Sequence, residues 1–474
     1  MLLNGLDCRE ISLSKVLSDR VCDFRLEAEY YSKIYEKLSV NLNKNYLVEL
    51  STLVKSKITT GHTPSMKNEK FYGGNISFIK TDNLRDNFIK APFSDYLSDL
   101  GDEKIKNSRL KEFDIITTII GATYKIIGRS CLVNTTMLPA NINQNIALIR
   151  ADIKKINPYY LNVYMQSLYG KLYLHWLSRQ TEQVNLNCEE VGKLKVARFS
   201  NLFEESLAEL NKKSYKLNIM SNEKYSQAEN LLIAELGLEN FNPSNEKVSI
   251  KTLKESFLKT GRLDSEYYQE KYDRLFEKMS DNNCDKLSNL VTIKKSIEPG
   301  SKSYQTNGVP FIRVQDLTKF GLTDTSIYLS ENEFKDCIRP KKDTILISKD
   351  GTVGIAYKMN KDEDLITSSA ILHLNVKDKR VLPEYLTLVL NSVVVKMQAE
   401  KDAGGSIINH WKMSEIESVI IPIIEKEKQE QICKLLIESE NLRIESKSIL
   451  EKTVKSVEMA IEYGEDKGIA YLNA

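Results

Sequence analysis

An internal duplication constrains the fold of this chain more than any other feature. Residues 25–31, Arg-Leu-Glu-Ala-Glu-Tyr-Tyr, recur at 262–268 as Arg-Leu-Asp-Ser-Glu-Tyr-Tyr. The same offset of 237 residues carries 50–54, Leu-Ser-Thr-Leu-Val, onto 287–291, Leu-Ser-Asn-Leu-Val. Matches that keep their order at a fixed offset indicate two copies of one module within the 474 residues.

Further matches continue the repeat while the offset shortens to 224 or 225 residues. The matched pairs are Phe78-Ile79-Lys80 with Phe311-Ile312-Arg313, Pro158–Leu161 with Pro383–Leu386, Asn185 with Asn409, and Val191 with Ile416. A small drift over this length predicts changes in loop length within one shared fold.

Each half has the same predicted order of elements. A short helix with paired tyrosines is predicted over 24–42 and again over 261–279. The β-branched runs 114–120 and 343–348 predict strands. Apolar residues at helical spacing over 157–174 and 382–397 predict helices.

A long helix is predicted to close each half, and glycines Gly237 and Gly464 are predicted to end these helices. The stripe of apolar and small residues at helical spacing in the first contains Phe203, Leu207, Leu210, Ser214, Leu217, Ser221, Ala228, Leu231 and Leu232, and that in the second contains Ile432, Leu435, Ser439, Leu442, Ser446, Ile449, Thr453, Val457 and Ile461. An apolar stripe of this length predicts a partner helix, here the other copy. Packing of each helix on its own globular domain is the alternative.

The fold class predicted is mixed α/β: two similar globular domains separated by two long, antiparallel, coiled-coil-like helices, with an internal pseudo-twofold repeat. The predicted parts are an N-terminal helical segment (1–43), a first globular domain (44–198), a central long helix (199–240), a linker with the repeated short helix (241–280), a second globular domain (281–424), a C-terminal long helix (425–464) and a tail (465–474).

Composition excludes several classes of protein. The seven cysteines are scattered without a Cys-x-x-Cys pair, and the four histidines lack metal-ligand spacing, so neither a disulfide framework nor a metal site is expected. No apolar run reaches the length of a membrane span and no signal peptide is evident, so we expect a cytoplasmic protein. Net charge is only +2, but residues 44–198 contain 22 Lys and Arg against 14 Asp and Glu, which fits contact with phosphates.

The motifs of the common nucleotide-dependent enzymes are missing from the sequence. No glycines are spaced as Gly-x-Gly, no phosphate-binding loop occurs, and no Pro-Pro dipeptide could form the motif of amino-methyltransferases. A nuclease built from scattered carboxylates is not excluded by motif. We therefore expect a non-catalytic protein without a cofactor of its own.

One segment of the first half has the side chains that suit nucleic acid. Residues 59–65 (Thr-Thr-Gly-His-Thr-Pro-Ser) and 71–84 combine glycines with hydroxyls, amides and lysines. Such side chains donate to phosphates and hydrogen bond with base edges. The same segment also fits an ordinary hairpin and loop.

With these residues in view, the chain resembles the specificity subunits of type I restriction–modification systems over nearly its whole length. The resemblance lies in Gly-His-Thr-Pro-Ser at 61–65, Tyr72-Gly73-Gly74, Phe78–Thr81 with Asn83-Leu84, the Gly-x-x-Gly turn at 351–354, and Pro422 with Glu430-Gln431. Two departures leave residue assignment in the second half open: Glu298–Ser301 replaces the Gly-x-Thr-Pro motif, and Ala197-Arg198 stands opposite Pro422.

The resemblance implies two target recognition domains, each on one half of a bipartite site in double-stranded DNA. It implies methyltransferase subunits as partners, which would carry S-adenosylmethionine, and a restriction motor-nuclease subunit as a further possible partner. Motif position and polarity give these candidate DNA contacts: Lys57, Thr60, His62, Lys80, Thr81, Asn83, Tyr124, Lys125, Gln183, Asn185, Lys302, Arg313, Gln315, Lys349, Asp350, Thr352, Ser406, Asn409 and Lys412. A two-chain type II specificity subunit and a two-module protein-interaction scaffold remain the alternatives.

Overall fold

The chain divides into two compact units in the computed structural model. Unit 1 comprises Met1–Ile219 and Arg443–Ala474, and unit 2 comprises Met220–Leu442. The structure describes residues 10–18, 26–85, 88–89, 95–121, 126–178, 185–242, 248–403 and 410–474. Both boundaries between the units fall inside a long helix, so each unit contains segments of both long helices.

The helices and strands are short except for two helices of 35 and 38 residues. The helices are α1 (Leu13–Ser18), α2 (Lys33–Leu42), α3 (Leu50–Leu53), α4 (Asp99–Lys104), α5 (Pro158–Gln166), α6 (Leu168–Leu177), α7 (Cys188–Gly192), α8 (Asn201–Glu235), α9 (Phe257–Thr260), α10 (Glu270–Met279), α11 (Leu287–Leu290), α12 (Pro383–Asn391), α13 (Val393–Asp402), α14 (Met413–Glu417), α15 (Lys426–Tyr463) and α16 (Glu465–Asn473).

The strands are β1 (Tyr46–Glu49), β2 (Thr59–Thr60), β3 (Tyr72–Ile79), β4 (Leu84–Arg85), β5 (Phe88–Ile89), β6 (Tyr96–Leu97), β7 (Ile115–Thr118), β8 (Ser130–Leu132), β9 (Ala140–Ile142), β10 (Ile146–Ile149), β11 (Lys195–Arg198), β12 (Cys284–Lys286), β13 (Val291–Lys295), β14 (Val309–Ile312), β15 (Leu317–Thr318), β16 (Gly321–Leu322), β17 (Tyr328–Leu329), β18 (Ile345–Ser348), β19 (Ala356–Lys358), β20 (Ile366–Thr367), β21 (Ile371–Val376) and β22 (Ile420–Pro422).

Unit 1 contains a four-stranded sheet in the order β2-β10-β7-β8 and a three-stranded sheet in the order β6-β3-β9. The first is antiparallel throughout, whereas β3 and β9 run parallel. A separate antiparallel pair, β1 with β11, joins the two ends of the globular region. The predicted strand over 114–120 is confirmed as β7, whose four residues are all buried.

Unit 2 has the same strand order. Its sheets are β13-β21-β18-β19 and β17-β14-β20, with β14 parallel to β20, and β12 pairs with β22. The predicted strand over 343–348 is confirmed as β18, again with every residue buried. Together with the helices, these sheets make both units mixed α/β, as predicted from the sequence.

The predicted helices over 157–174 and 382–397 are each divided in two by a serine. Ser167 and Ser392 have extended backbone (ψ 157° and 168°), so α5 ends before α6 begins and α12 ends before α13 begins. Ser167 Oγ accepts from Gly170 N (3.2 Å), which satisfies a free amide in the first turn of α6. Most residues of these four helices are buried, so their apolar pattern gave no sign of the break.

The paired tyrosines lie in 3-10 turns rather than at the start of one continuous helix. The turns are Ala28–Tyr31 and Ser265–Tyr268, and extended backbone at Ser32 and Gln269 separates them from α2 and α10. In unit 1 this geometry buries Tyr30 against Trp176, whose Nε1 donates to Tyr30 O (2.9 Å). The first turn of the predicted helix is therefore a separate 3-10 turn, in which Tyr30 packs against Trp176.

Small polar residues bring the two long helices into contact within each unit. In unit 2, Ser221 Oγ donates to Ser439 O (2.6 Å) and Ser439 Oγ donates to Ser221 O (2.7 Å). In unit 1, Ser214 and Ser446 form the same reciprocal pair (2.8 and 2.7 Å). All four serines are buried, and a side chain this short reaches a facing carbonyl only when the two backbones lie close together.

Gly237 ends α8 in the way that the sequence predicts. Its φ of +66° is left-handed, its N–H donates to Ala234 O (3.0 Å), and Leu238 N donates to Ile233 O (2.9 Å). This pair of bonds satisfies carbonyls of the last turn that would otherwise lack partners. Gly464, at φ +97°, stands between α15 and α16.

A leucine at Ser221 should force the helices of unit 2 apart. We expect Ser221→Leu to lower the free energy of unfolding by about 2–4 kcal/mol, because it overpacks the contact and removes hydrogen bonds. Ser226→Leu makes the same chemical change at an exposed position of α8 and should cost less than about 0.5 kcal/mol. Urea unfolding followed by far-UV circular dichroism compares them, and equal losses would contradict the close packing described above.

Candidate nucleic-acid interface

Backbone hydrogen bonds in unit 1 join loops that follow different strands. Asn143 N donates to Ile79 O (3.1 Å), which ties the loop after β9 to the end of β3. Ile119 N donates to Asn145 O (3.1 Å), which adds the loop after β7. Segments 79–83, 119–121 and 143–146 therefore lie side by side.

Two further segments join the same loops. Gly61 N lies 3.4 Å from Ile146 O, and Leu186 N donates to Ile119 O (2.8 Å) beside a backbone bridge between Ile120 and Asn185. We call the five segments 60–65, 79–83, 119–121, 143–146 and 185–186 the loop edge of unit 1. Most of the candidate DNA contacts of the first half lie on this edge.

The Gly-His-Thr-Pro-Ser motif is held against the rest of the loop edge by three of its residues. A Cβ at Gly61 would lie only 1.8 Å from Ile142 O, so no other residue fits there without a shift of the backbone. Thr63 Oγ1 bonds to Gln144 Oε1, and Pro64 O accepts from Tyr72 OH (2.7 Å). His62, between them, is exposed and presents its side chain to solvent.

The turn after β3 uses two of its candidate residues for its own structure. Lys80 N donates to Asn83 Oδ1 (3.0 Å), and Asn83 is buried. The Lys80 ammonium forms an ion pair with Asp95. Thr81 Oγ1 is buried and has no hydrogen-bond partner among the described residues.

The other candidates of unit 1 differ in exposure and place. Asn185 is exposed on the loop edge, and Thr60 is half-buried in β2 opposite Ala147. Lys57 is exposed near Cys188, whose pKa is raised by burial and lowered less by this lysine. Five candidates lie outside the described residues: Tyr124, Lys125, Gln183, Ser406 and Asn409.

Unit 2 has an equivalent set of joined loops. Ser368 N donates to Ile312 O (2.8 Å), Lys349 N donates to Ala370 O (2.9 Å), and Trp411 N donates to Lys349 O (2.8 Å). A backbone bridge between Ile297 and Ser368 adds the segment before β14. We call 297–298, 312–316, 348–354, 368–370 and 410–411 the loop edge of unit 2.

The turn after β14 follows the pattern of the turn after β3. Arg313 N donates to Asp316 Oδ2 (3.0 Å), and Asp316 is buried, as Asn83 is in unit 1. Gln315 is exposed in this turn, whereas the Arg313 side chain is only 34% exposed. Lys302 is exposed in a separate 3-10 turn, Ser301–Ser303.

The Gly-x-x-Gly turn brings three candidates together with a histidine. Lys349 Nζ and His410 Nδ1 (2.9 Å) both bond to the Asp350 carboxylate. Burial raises the pKa of Asp350, but the hydrogen bonds from Lys349 and His410 outweigh it, so this pKa lies below its ordinary value. Thr352 is exposed at the tip of the turn, where its carbonyl accepts from Ser348 Oγ (2.6 Å).

Lys412 lies next to this cluster in the chain. Its side chain is 76% exposed, with Nζ at 3.5 Å from Glu415 Oε1. An exposed ion pair of this length leaves the lysine available to another anion, since such pairs contribute little energy.

His410 is a residue that the sequence-based prediction missed. The backbone bridge Asp350–His410 corresponds to Ile120–Asn185, and the bond Trp411 N–Lys349 O corresponds to Leu186 N–Ile119 O. Asn185 is therefore equivalent to His410, one residue beyond the predicted match at Asn409. The match of Val191 with Ile416, at an offset of 225, already contained this register.

No group of three or more His, Cys, Asp or Glu side chains in the described ranges could hold a metal ion. Within the same ranges, no helix is long and apolar enough to cross a membrane.

Residues 279–455 match the family described as "Type I restriction modification DNA specificity domain". The HindI specificity subunit of Haemophilus influenzae is 25% identical over 185 residues, which are 38% of this chain and 38% of that protein. This match confirms, for residues 279–455, the resemblance to type I specificity subunits drawn from the sequence. The match spans well under half the length of the curated relative.

Solved specificity subunits are also similar, at low scores. The S subunit of the type I system of M. genitalium aligns at 12% identity and a TM-score of 0.33, over 91% of this chain and 96% of that one. The HsdS subunit of Thermoanaerobacter tengcongensis aligns at 15% identity and a TM-score of 0.28, over 89% and 96%.

Gly61→Ala should destabilise unit 1 by more than about 2 kcal/mol, because its methyl group would meet backbone carbonyls that cannot easily move. Gly192→Ala is the control, since its Cβ would lie 3.4 Å from Ser51 Cβ, an ordinary contact. In a Trp411→Phe background the fluorescence of Trp176, in unit 1, follows urea unfolding of that unit alone. Similar stabilities of the two variants would show that the motif glycine has no structural role.

Proposed function

We propose that this chain is the sequence-reading subunit of a type I restriction–modification system. It binds a bipartite site in double-stranded DNA and directs methyltransferase subunits to that site. One observation carries the proposal: both units join the same set of loops at the ends of equivalent strands, and one of those units matches a DNA specificity domain.

The proposed organisation is a pseudo-twofold repeat of two target recognition domains, 44–198 and 281–424, separated by two long antiparallel helices. Strand pairs at the domain ends support these limits. Tyr46 pairs with Arg198, and Cys284 pairs with Pro422, so each domain begins and ends at one place. The reciprocal serine bonds support the antiparallel pairing of the helices.

Within each domain we assign DNA contact to one set of side chains and support of the loop structure to another. Exposed polar residues on the loop edges, such as His62, Asn185, Gln315 and Thr352, can reach base edges in a groove. Lysines such as Lys412 suit phosphates, which position the protein without distinguishing the sequence. The buried Asn83 supports the turn that carries Lys80 and Thr81.

The methyltransferase partner would contribute the chemistry. It would bind S-adenosylmethionine and take the target adenine out of the duplex. Ile437 and Ile444 lie seven residues apart on one face of α15 and are 47% and 58% exposed, which suits docking of a subunit on the long helices. A restriction motor-nuclease subunit would join the same assembly, and the whole complex would act in the cytoplasm.

Reconstitution tests this division of labour. The chain alone, with S-adenosylmethionine and DNA, should transfer no methyl group, and the methyltransferase alone should show no sequence preference. The two together should methylate one bipartite motif, as mapped by sequencing that detects methylated bases. Methylation by the chain alone, or the same motif from the methyltransferase alone, would contradict the proposal.

A further inference from the structure

One exposed side chain on the loop edge of unit 2 is held in a fixed position without being buried. The His410 side chain is 64% exposed, and its Nδ1 lies 2.9 Å from Asp350 Oδ1. The other carboxylate oxygen of Asp350 bonds to Lys349 Nζ.

We propose that His410 is a specificity-determining residue for the half-site that unit 2 recognises, and that Asp350 positions its imidazole. This inference rests on the function proposed above. It also gives Asp350 a different role from the predicted one, because both of its oxygens are already bonded to side chains of the protein.

The backbone at His410 is held in place by contacts other than the side-chain hydrogen bond to Asp350. Asp350 and His410 form a backbone bridge, and Trp411, the next residue, is 1% exposed in the core of unit 2. A hydrogen bond between side chains as exposed as these contributes little to folding stability. The pair therefore adds little to folding, but it holds an exposed ring on a rigid support, as recognition residues require.

The bond to Asp350 determines what the free side of the ring can do. A carboxylate only accepts hydrogen bonds, so Nδ1 carries the proton, and in the neutral ring Nε2 is an acceptor. Nε2 has no partner among the described residues. In the major groove the donors facing such an acceptor are the exocyclic amines of adenine and cytosine. Inverting a base pair replaces the amine on that strand with a keto oxygen.

The two copies differ at this point while keeping the same backbone. Unit 1 has Ile120 and Asn185 where unit 2 has Asp350 and His410. A conserved bridge carrying different side chains is the arrangement expected if each unit recognises a different half-site. It also indicates that the bridge itself does not require a histidine or a carboxylate.

The test uses the complex of the full chain with its methyltransferase and a DNA library in which each base pair of the motif is inverted in turn. His410→Ala should lose about tenfold discrimination against inversion at one position of one half-site, and keep the preferences at all others. Asp350→Ala should lose part of the same discrimination. The double variant should match His410→Ala, because Asp350 acts through the histidine.

Lys341→Ala is the matched control, since it removes an exposed side-chain contact of unit 2, the ion pair with Asp362, away from the loop edge. It should leave every preference unchanged. Unchanged preferences in His410→Ala, or a uniform loss across all sequences, would overturn the proposal. A loss of discrimination in the other half-site, the one assigned to residues 44–198, would also overturn it. Failure of the proposed function would appear differently, as an absence of any motif with the wild-type chain.

Discussion

The hydrogen bonds between loop backbones are the constraint on which both loop edges depend. In each parallel pair of strands, the two strands end at the same edge of the sheet. These pairs are β3 with β9 and β14 with β20. Asn143 N–Ile79 O and Ser368 N–Ile312 O then continue this pairing into the loops. Through these backbone hydrogen bonds, segments more than a hundred residues apart in the chain lie side by side and form a fixed backbone frame. Their side chains can vary without loss of the frame, which suits proteins that recognise different sequences.

The long helices depend on a different interaction. An apolar stripe allows several registers of similar energy, but a buried hydroxyl must find a partner. In the pairs Ser214–Ser446 and Ser221–Ser439, each hydroxyl donates a hydrogen bond to the backbone carbonyl of the facing serine. Since the bonds form only in one register, these polar residues specify the alignment of the helices, whereas the apolar residues around them provide burial.

The mixed α/β fold of both units was predictable because the repeated residues include core positions. Leu50, Leu287 and the central strands β7 and β18 are buried, so the duplication preserved them and their pattern remained visible. The breaks at Ser167 and Ser392 were not predictable, since the helices on both sides are buried and continue the same apolar pattern.

The candidate interface was predictable by segment and less so by residue. The motif around Gly61 and the Gly-x-x-Gly turn both lie on the loop edges. Whether a polar side chain supports a loop or faces solvent depends on contacts that one sequence does not specify. Asn83 and Asp350 are bonded within the protein, whereas His410 was missed because the repeat was matched one residue away.

The central claim is that each unit recognises one half of the DNA site. The most direct measurement replaces 44–197 with the equivalent region of a related subunit and maps the methylated motif. Arg198 is kept, because its guanidinium pairs with Glu204 at the start of α8 (2.7 Å). The account predicts a new sequence in one half of the motif and an unchanged sequence in the other. A change in both halves, or in neither, would contradict it.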